Sequence, residues 1–195
     1  WLSSRGAEVR DAEGRRRIIG VTFDITDRKQ AEDRAWRAAN RDALTGLENR
    51  AAFQRSLGDA LCRASRSGGR ATILVVDVDD FKDVNDAAGH DAGDALLREV
   101  AERLSRACGP NARLARLGGD EFAVLVEGCE DPRDGLALAD AIDAEFRTPF
   151  LFGARSLACR VSTGVACFPD HAGDAAELMK SADLALFSAK EQGRG

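Results

Sequence analysis

Arg116-Leu117-Gly118-Gly119-Asp120-Glu121-Phe122 lies between two apolar runs, with Leu114 before it and Phe122 to Val126 closing it. Glycine accepts positive φ without a Cβ clash, so a Gly-Gly pair between two β-like runs predicts a hairpin over 113–126. Two adjacent carboxylates, Asp120 and Glu121, follow the glycines directly. Alternation along a strand predicts that they point to opposite faces. Taken alone, a hairpin tipped with acids reads as a solvated turn. A second acidic turn earlier in the chain changes that reading.

That second turn closes the run Thr72 to Val76, which is rich in β-branched residues without a charge and predicts a strand over 71–77 buried on both faces. It ends in Asp77-Val78-Asp79-Asp80-Phe81-Lys82. Between strand and hairpin, Leu96, Leu97, Val100, Ala101 and Leu104 recur at helical spacing, with Asp91 or Asp94 able to cap a helix over 91–107. After the hairpin, Leu138, Ala141, Ile142 and Phe146 predict another helix, and 157–166 a strand. The order from 71 to 166 is therefore β-α-β-β-α-β, the ferredoxin-like pattern of an α/β (α+β) domain. Its central sheet is antiparallel or mixed. A helix with Phe53, Leu57, Leu61 and Ala64 precedes it and stops at Gly68-Gly69. Another starts near Asp174, buries Leu178, Ala182, Ala185 and Ala189, and stops at Gly193. In this fold the first and third strands lie side by side. Asp77 and Asp79 are thus expected beside Asp120 and Glu121.

Carboxylates held a few ångströms apart repel, and their pKa values rise unless a cation neutralises them. Oxygen-only ligands favour a hard ion, Mg²⁺ or Mn²⁺, which also takes phosphate oxygens. Lys82 follows closely, and Lys190 and Arg194 end the last helix, where basic groups also serve as ordinary dipole partners. Asn85, His90 and Asp94 follow Lys82. Asp can accept from guanine N1–H and N2–H₂, and Asn can serve O6 or N3.

The remaining sequence sets bounds. At 195 residues the chain holds one well-buried domain plus an appendage. A net charge of −5 argues against a nucleic-acid binder, so any phosphate ligand needs local cations or a metal. No apolar run approaches the length of a spanning helix, so these residues predict a piece without membrane contact. The five cysteines form no CxxC pair, which argues against zinc and predicts small, buried, reduced residues in a cytoplasmic setting. Residues 1–27 read as strand, turn, strand, too little for a core of their own. From Asp27 to Asn40 the composition is helical and charged, with Thr26 or Asp27 as cap; a linker and a dimer contact are equally good readings of it.

Four ordered motifs now stand together. They are Asp42-x-Leu44-Thr45-Gly46-Leu47-x-Asn49-Arg50, Asp77-x-Asp79-x-Phe81-Lys82-x-x-Asn85 with Gly89-His90-x-x-Gly93-Asp94, Arg116-x-Gly118-Gly119-Asp120-Glu121-Phe122, and Ala189-Lys190-x-x-Gly193-Arg194. In this order they resemble the GGDEF family of diguanylate cyclases over about residues 41–195. The resemblance implies that two domains, each with one GTP, meet as a homodimer. Each 3′-hydroxyl attacks the other GTP's α-phosphate, giving cyclic di-GMP and two pyrophosphates. It implies Asp77, Asp120 and the Val78 carbonyl as Mg²⁺ ligands, Glu121 as added charge near the hydroxyl, and Lys82 on the phosphoryl transition state. Asp80 and Phe81 would offer backbone N–H groups to phosphate, and Lys190 and Arg194 would hold the terminal phosphates. Asn85 and Asp94 would read guanine with His90 nearby. Members with product inhibition carry an Arg-x-x-Asp pair where this chain has Gly109 and Ala112, so no inhibitory site of that kind is expected. The alternative is a silent module that binds GTP or c-di-GMP without turnover. Gly6, Val9, Asp11, Gly14, Gly20-Val21 and Asp24-Ile25-Thr26-Asp27 resemble the end of a PAS sensor domain, giving 1–26 as a sensor stub, 27–40 as a signalling helix and 41–195 as the catalytic domain. With the sensor incomplete, weak intrinsic dimerisation is expected.

Overall fold

A computed structural model describes every residue except 11–13, 130, 154, 194 and 195. The chain divides into two compact units, Trp1–Ala39 and Asn40–Gly195. In the first, β1 (Leu2–Arg10) pairs antiparallel with β2 (Arg16–Asp24) over nine residues, with Gly6 opposite Gly20. Ile18, Ile19, Val21 and Phe23 stay exposed, as expected of a hairpin without a covering layer. Helix α1 (Thr26–Asn40) follows and buries no side chain. Neither Thr26 nor Asp27 caps it in the expected way. Instead Asp24 accepts the Thr26 N–H at 2.8 Å.

The second unit is built on a five-stranded sheet. It comprises β3 (Glu48–Asn49), β4 (Ala71–Val78), β5 (Arg113–Gly118), β6 (Glu121–Glu127) and β9 (Val161–Phe168), in the order β3-β5-β6-β4-β9. Only β3 runs parallel to its neighbour β5; the other pairs are antiparallel. The first and third strands of the predicted pattern, β4 and β6, are therefore neighbours. All eight residues of β4 are buried, because helices cover both faces of the sheet. Ile73 and Val75, with Ala123 and Leu125, pack against Phe53 and Leu57 of α2 (Arg50–Ser67) and Leu178 and Leu186 of α6 (Ala175–Glu191). Leu74 and Val76, with Phe122 and Val124, pack against Leu96, Val100 and Leu104 of α4 (His90–Cys108) and Ile142 and Phe146 of α5 (Arg133–Phe146). The side-chain period of two thus divides one strand between two cores. The close seat of α6 on β9 needs Gly164, where a Cβ would lie 2.1 Å from the Ala182 carbonyl.

Two helices, α2 and α6, begin on side-chain caps. Asn49 caps α2 by accepting the Ala52 N–H at 2.9 Å, and Gly68 ends it in the left-handed region at φ 66°. Asp174 caps α6 through the Glu177 N–H, also at 2.9 Å.

Several expectations are corrected. A separate short helix, α3 (Phe81–Ala88), precedes α4, and Gly89 forms the joint between them. Consequently neither Asp91 nor Asp94 caps α4, whose start carries no side-chain cap. The strand expected over 157–166 is split. Residues 155–157 form β8, which pairs with β7 (Phe150–Phe152) in a small hairpin, and β9 begins only at Val161. In α6, Leu186 is buried, whereas Ala185 and Ala189 are half-buried. Of the cysteines, Cys159 and Cys167 are buried but Cys62 is exposed, one helical step past the buried Leu61. Burial pushes the Cys159 thiol up to about 11 and that of Cys108 to about 12, so both stay protonated at neutral pH.

Candidate active site

The site grows from the place where β4 ends and β6 begins. Asp77 stands opposite Glu121 in the β4–β6 ladder, and the Val78 N–H donates to the Asp120 carbonyl at 3.2 Å. The hairpin between β5 and β6 exists as expected, but its connection is Gly119-Asp120, since Gly118 still pairs with Glu121. Gly118 and Gly119 take φ values of 148° and 54°, which a side chain would resist. Asp120 is therefore a turn residue, to which strand alternation does not apply, while Glu121 starts the strand.

Two arginines hold this turn. A register shift between Arg116 and Gly118 takes Leu117 out of the ladder, and the Arg50 Nε donates to its carbonyl at 3.0 Å. The other end of Arg50 reaches the Glu121 carboxylate at 3.3 Å. Arg116 donates to the Gly119 carbonyl at 2.9 and 2.7 Å and pairs with Asp42 at 3.2 Å. Asp42 in turn accepts the Thr45 N–H at 2.9 Å and its hydroxyl at 2.7 Å. Burial works to raise the Asp42 pKa, but the two Thr45 bonds and the Arg116 charge outweigh it and hold the carboxyl below the ordinary range. The segment 42–50 thus clamps the acidic turn. Of this clamp only the motif residues are visible in sequence; the contacts are not.

Asp77 is only 9% exposed. Burial pushes its pKa above the ordinary carboxylate range; Lys190, whose Nζ lies 2.6 Å from Oδ1, pulls it back, and the charges of Asp120 and Asp79 push it up again. The four groups therefore sense one another. Asp79 is also buried, accepting the Ser162 hydroxyl at 2.8 Å on Oδ1, while its Oδ2 has no hydrogen-bond partner among the described residues. Asp79 and Ser162 are site neighbours that the sequence reading did not pair. A cleft of about 500 Å³ borders Ser162, Thr163, Ala189 and Gln192, beside the start of β9 and the end of α6.

The other expected residues lie further along the chain. Asp80 adopts φ 54° and opens α3, its carbonyl accepting the Asp83 N–H at 2.9 Å; Phe81 is the first helical residue. Lys82 is exposed in the first turn of α3 and makes no ion pair with a described residue. Asn85 is half-buried on α3, and His90 and Asp94 are exposed on α4. Among the described residues, no hydrogen bond or ion pair joins these three to the carboxylates. Lys190 sits on Asp77, and Arg194 lies outside the described residues.

Among the described residues, no group of three or more acidic, histidine or cysteine side chains stands close enough to hold a metal ion alone. The donors present are all oxygen, with Asp77 buried beside the charges of Asp120 and Asp79 and one buried carboxylate oxygen unpartnered among the described residues. That set fits a hard divalent cation that shares its coordination with ligand oxygens.

Residues 39–195 match the family described as Diguanylate cyclase, GGDEF domain. The diguanylate cyclase TpbB of Pseudomonas aeruginosa PAO1 is 39% identical over 158 residues, covering 80% of this chain and 36% of TpbB. The solved GGDEF domain of that protein superposes with a TM-score of 0.77 at 39% identity, over 80% of this chain and 91% of the domain. The cyclic di-GMP phosphodiesterase PdeR of Escherichia coli is 38% identical over 193 residues, 98% of this chain and 29% of PdeR. The coiled coil and GGDEF domain of DgcB from Caulobacter crescentus, solved in complex with c-di-GMP, gives a TM-score of 0.79 at 29% identity, covering 87% of this chain and 90% of that one. The chain thus spans about a third of the length of the curated relatives TpbB and PdeR.

Proposed function

The chain belongs to the GGDEF family of diguanylate cyclase domains, and from that membership we propose that it condenses two GTP into cyclic di-GMP with release of two pyrophosphates. The observation that carries the reading is the pairing of Asp77 with Glu121 across the ladder, with Asp120 in the turn beside them and Lys190 on Asp77. A purely structural sheet end has no use for a buried acid whose pKa is raised by burial and by the charges of neighbouring carboxylates.

In this reading Asp77, Asp120 and the Val78 carbonyl hold a Mg²⁺ or Mn²⁺ ion. When bound, that ion offsets phosphate charge and lowers the barrier to attack at the α-phosphorus. The chain's own residues bind and orient. Lys82 and Lys190, with Arg194, place positive charge along the triphosphate, and Lys82 stabilises the negative charge of the transition state. Backbone N–H groups of Asp80 and Phe81 donate to phosphate oxygens at the start of α3. Asn85 and Asp94 read the guanine edge from α3 and α4, with His90 beside them. The Glu121 carboxylate stands ready to accept the 3′-hydroxyl proton, and Arg50 keeps it in place. Each 3′-oxygen forms a bond to the other nucleotide's α-phosphorus as the bond to the β-phosphate oxygen breaks. Two copies must therefore face each other. Residues 1–26 fit the last hairpin of a PAS sensor, and 27–40 the helix that passes its signal on.

Incubation of the purified protein with GTP and Mg²⁺ is expected to yield c-di-GMP, identified by chromatography and mass. GTP binding in calorimetry with no product over many hours would instead make the domain a silent nucleotide receptor.

A further inference from the structure

We infer that Gly93 is a specificity-positioning residue: its bare Cα seats the Asn85 amide and so sets the preference for guanine. The inference rests on the reading of Asn85 as a base contact and extends it to a residue with no polar group of its own. Gly93 lies in the first turns of α4, buried, with ordinary helical backbone, so nothing in the chain path calls for glycine. Alanine is the better helix former there. What excludes it is a neighbour. A Cβ on Gly93 would lie 2.1 Å from Asn85 Oδ1, 3.0 Å from Asn85 Cγ and 3.2 Å from Phe81 Cζ. The Asn85 amide therefore rests directly on the α4 backbone.

Three further observations give this contact a purpose. The Asn85 amide has no side-chain hydrogen-bond partner among the described residues, so no bond within the chain competes with a ligand for it. Its backbone is fixed, because the Asn85 carbonyl accepts the Gly89 N–H at 2.8 Å across the joint between α3 and α4. And Gly93 directly precedes Asp94, the other proposed base reader, so the glycine brings the two readers to adjacent positions on different helices. An apolar packing contact would satisfy the fold with any small side chain. At Gly93 the first atom that a methyl would meet is the Asn85 amide oxygen, a polar group next to Asp94 and not a neighbouring backbone as at Gly164.

The clashing atoms are ends of movable side chains, so Gly93→Ala is expected to fold and to melt no lower than the wild type while displacing Asn85. The test measures Kd for non-reactive GTP and ATP analogues with Mg²⁺ by calorimetry, in wild type, Gly93→Ala, Asn85→Ala and the double variant. Gly93→Ala is expected to weaken the GTP analogue about tenfold, the worth of one or two hydrogen bonds, and to shrink the preference over the ATP analogue by a similar factor. The double variant is expected to bind no worse than Asn85→Ala, because the added methyl then has no amide to displace. Unchanged affinity in Gly93→Ala alongside a loss in Asn85→Ala overturns the inference and leaves the base-contact reading standing. Additive losses in the double variant also overturn it. If neither single variant changes affinity, both the inference and the reading of Asn85 fall.

Discussion

Asp77 lies near the end of β4 and Asp120 in the turn before β6, and the Asp120 charge acting on buried Asp77 is a cost carried by the protein until a cation binds. Asp120→Ala removes one of the repelling charges. It is expected to abolish c-di-GMP synthesis while leaving the far-ultraviolet circular dichroism unchanged and raising the melting temperature without Mg²⁺. A lower melting temperature would assign Asp120 to the fold instead. Asp42 behaves in the opposite sense. Its folded pKa lies below the ordinary range, so the ionised group contributes stability that is complete above its unfolded pKa, about 4. That contribution is lost as pH falls through the folded pKa. Asp42→Asn should therefore be less stable than wild type at pH 7, with the gap closing below about pH 4; urea titrations across that range read it directly. The sequence motifs contain both residues. Position in a motif points to importance, but the division into a repelling acid and a clamped acid depends on Lys190, Thr45 and Arg116, which meet them only in three dimensions.

At the scale of elements, the patterns that read correctly are those with one strong signal: the β-branched run of β4, the helical spacing in α2 and α4, the glycine turn before β6. The missed elements lack one. Phe81–Ala88 is a helix of eight residues whose start is a left-handed Asp80 without a side-chain cap, so no N-terminal signal announces it. Residues 158–160 look like strand by composition, yet the chain leaves one ladder at Leu157 and enters another at Val161. The return from α5 also depends on a residue that the apolar spacing of α4 does not single out. Arg103 of α4 is 5% exposed. It pairs with Glu99 at 2.9 Å, donates to the carbonyls of Glu145, Thr148 and Pro149, and lies 5.6 Å from the Phe146 ring centre. It satisfies one carbonyl of the last turn of α5 and two of the connection that follows. Arg103→Leu should cost about 3 kcal/mol of stability, since it strands those carbonyls and one member of an ion pair. A change in the urea midpoint equivalent to less than about 1 kcal/mol would show that water replaces the guanidinium without penalty.

The molecule as a whole is two units of unequal independence. The hairpin and α1 bury almost nothing, whereas the second unit holds its sheet between two helical layers. The ferredoxin-like order of that second unit was legible because each strand and helix carries its own period. The helix layer of α2 and α6 was legible as elements but not as a second core, because no sequence period says which face of a sheet a helix covers. That layer matters for the site: Asp77 shares the strand parity of Ile73 and Val75, and so faces the α6 side, where Lys190 waits. If turnover needs two such domains, activity per molecule should rise with protein concentration in the micromolar range, whereas a flat response would describe a pre-formed dimer. The central claim is most directly tested by product stoichiometry. Pyrophosphate and c-di-GMP released from GTP by the wild-type protein with Mg²⁺ should stand at two to one, with neither formed by Asp120→Ala. Bound GTP recovered intact, with no pyrophosphate, would contradict the account.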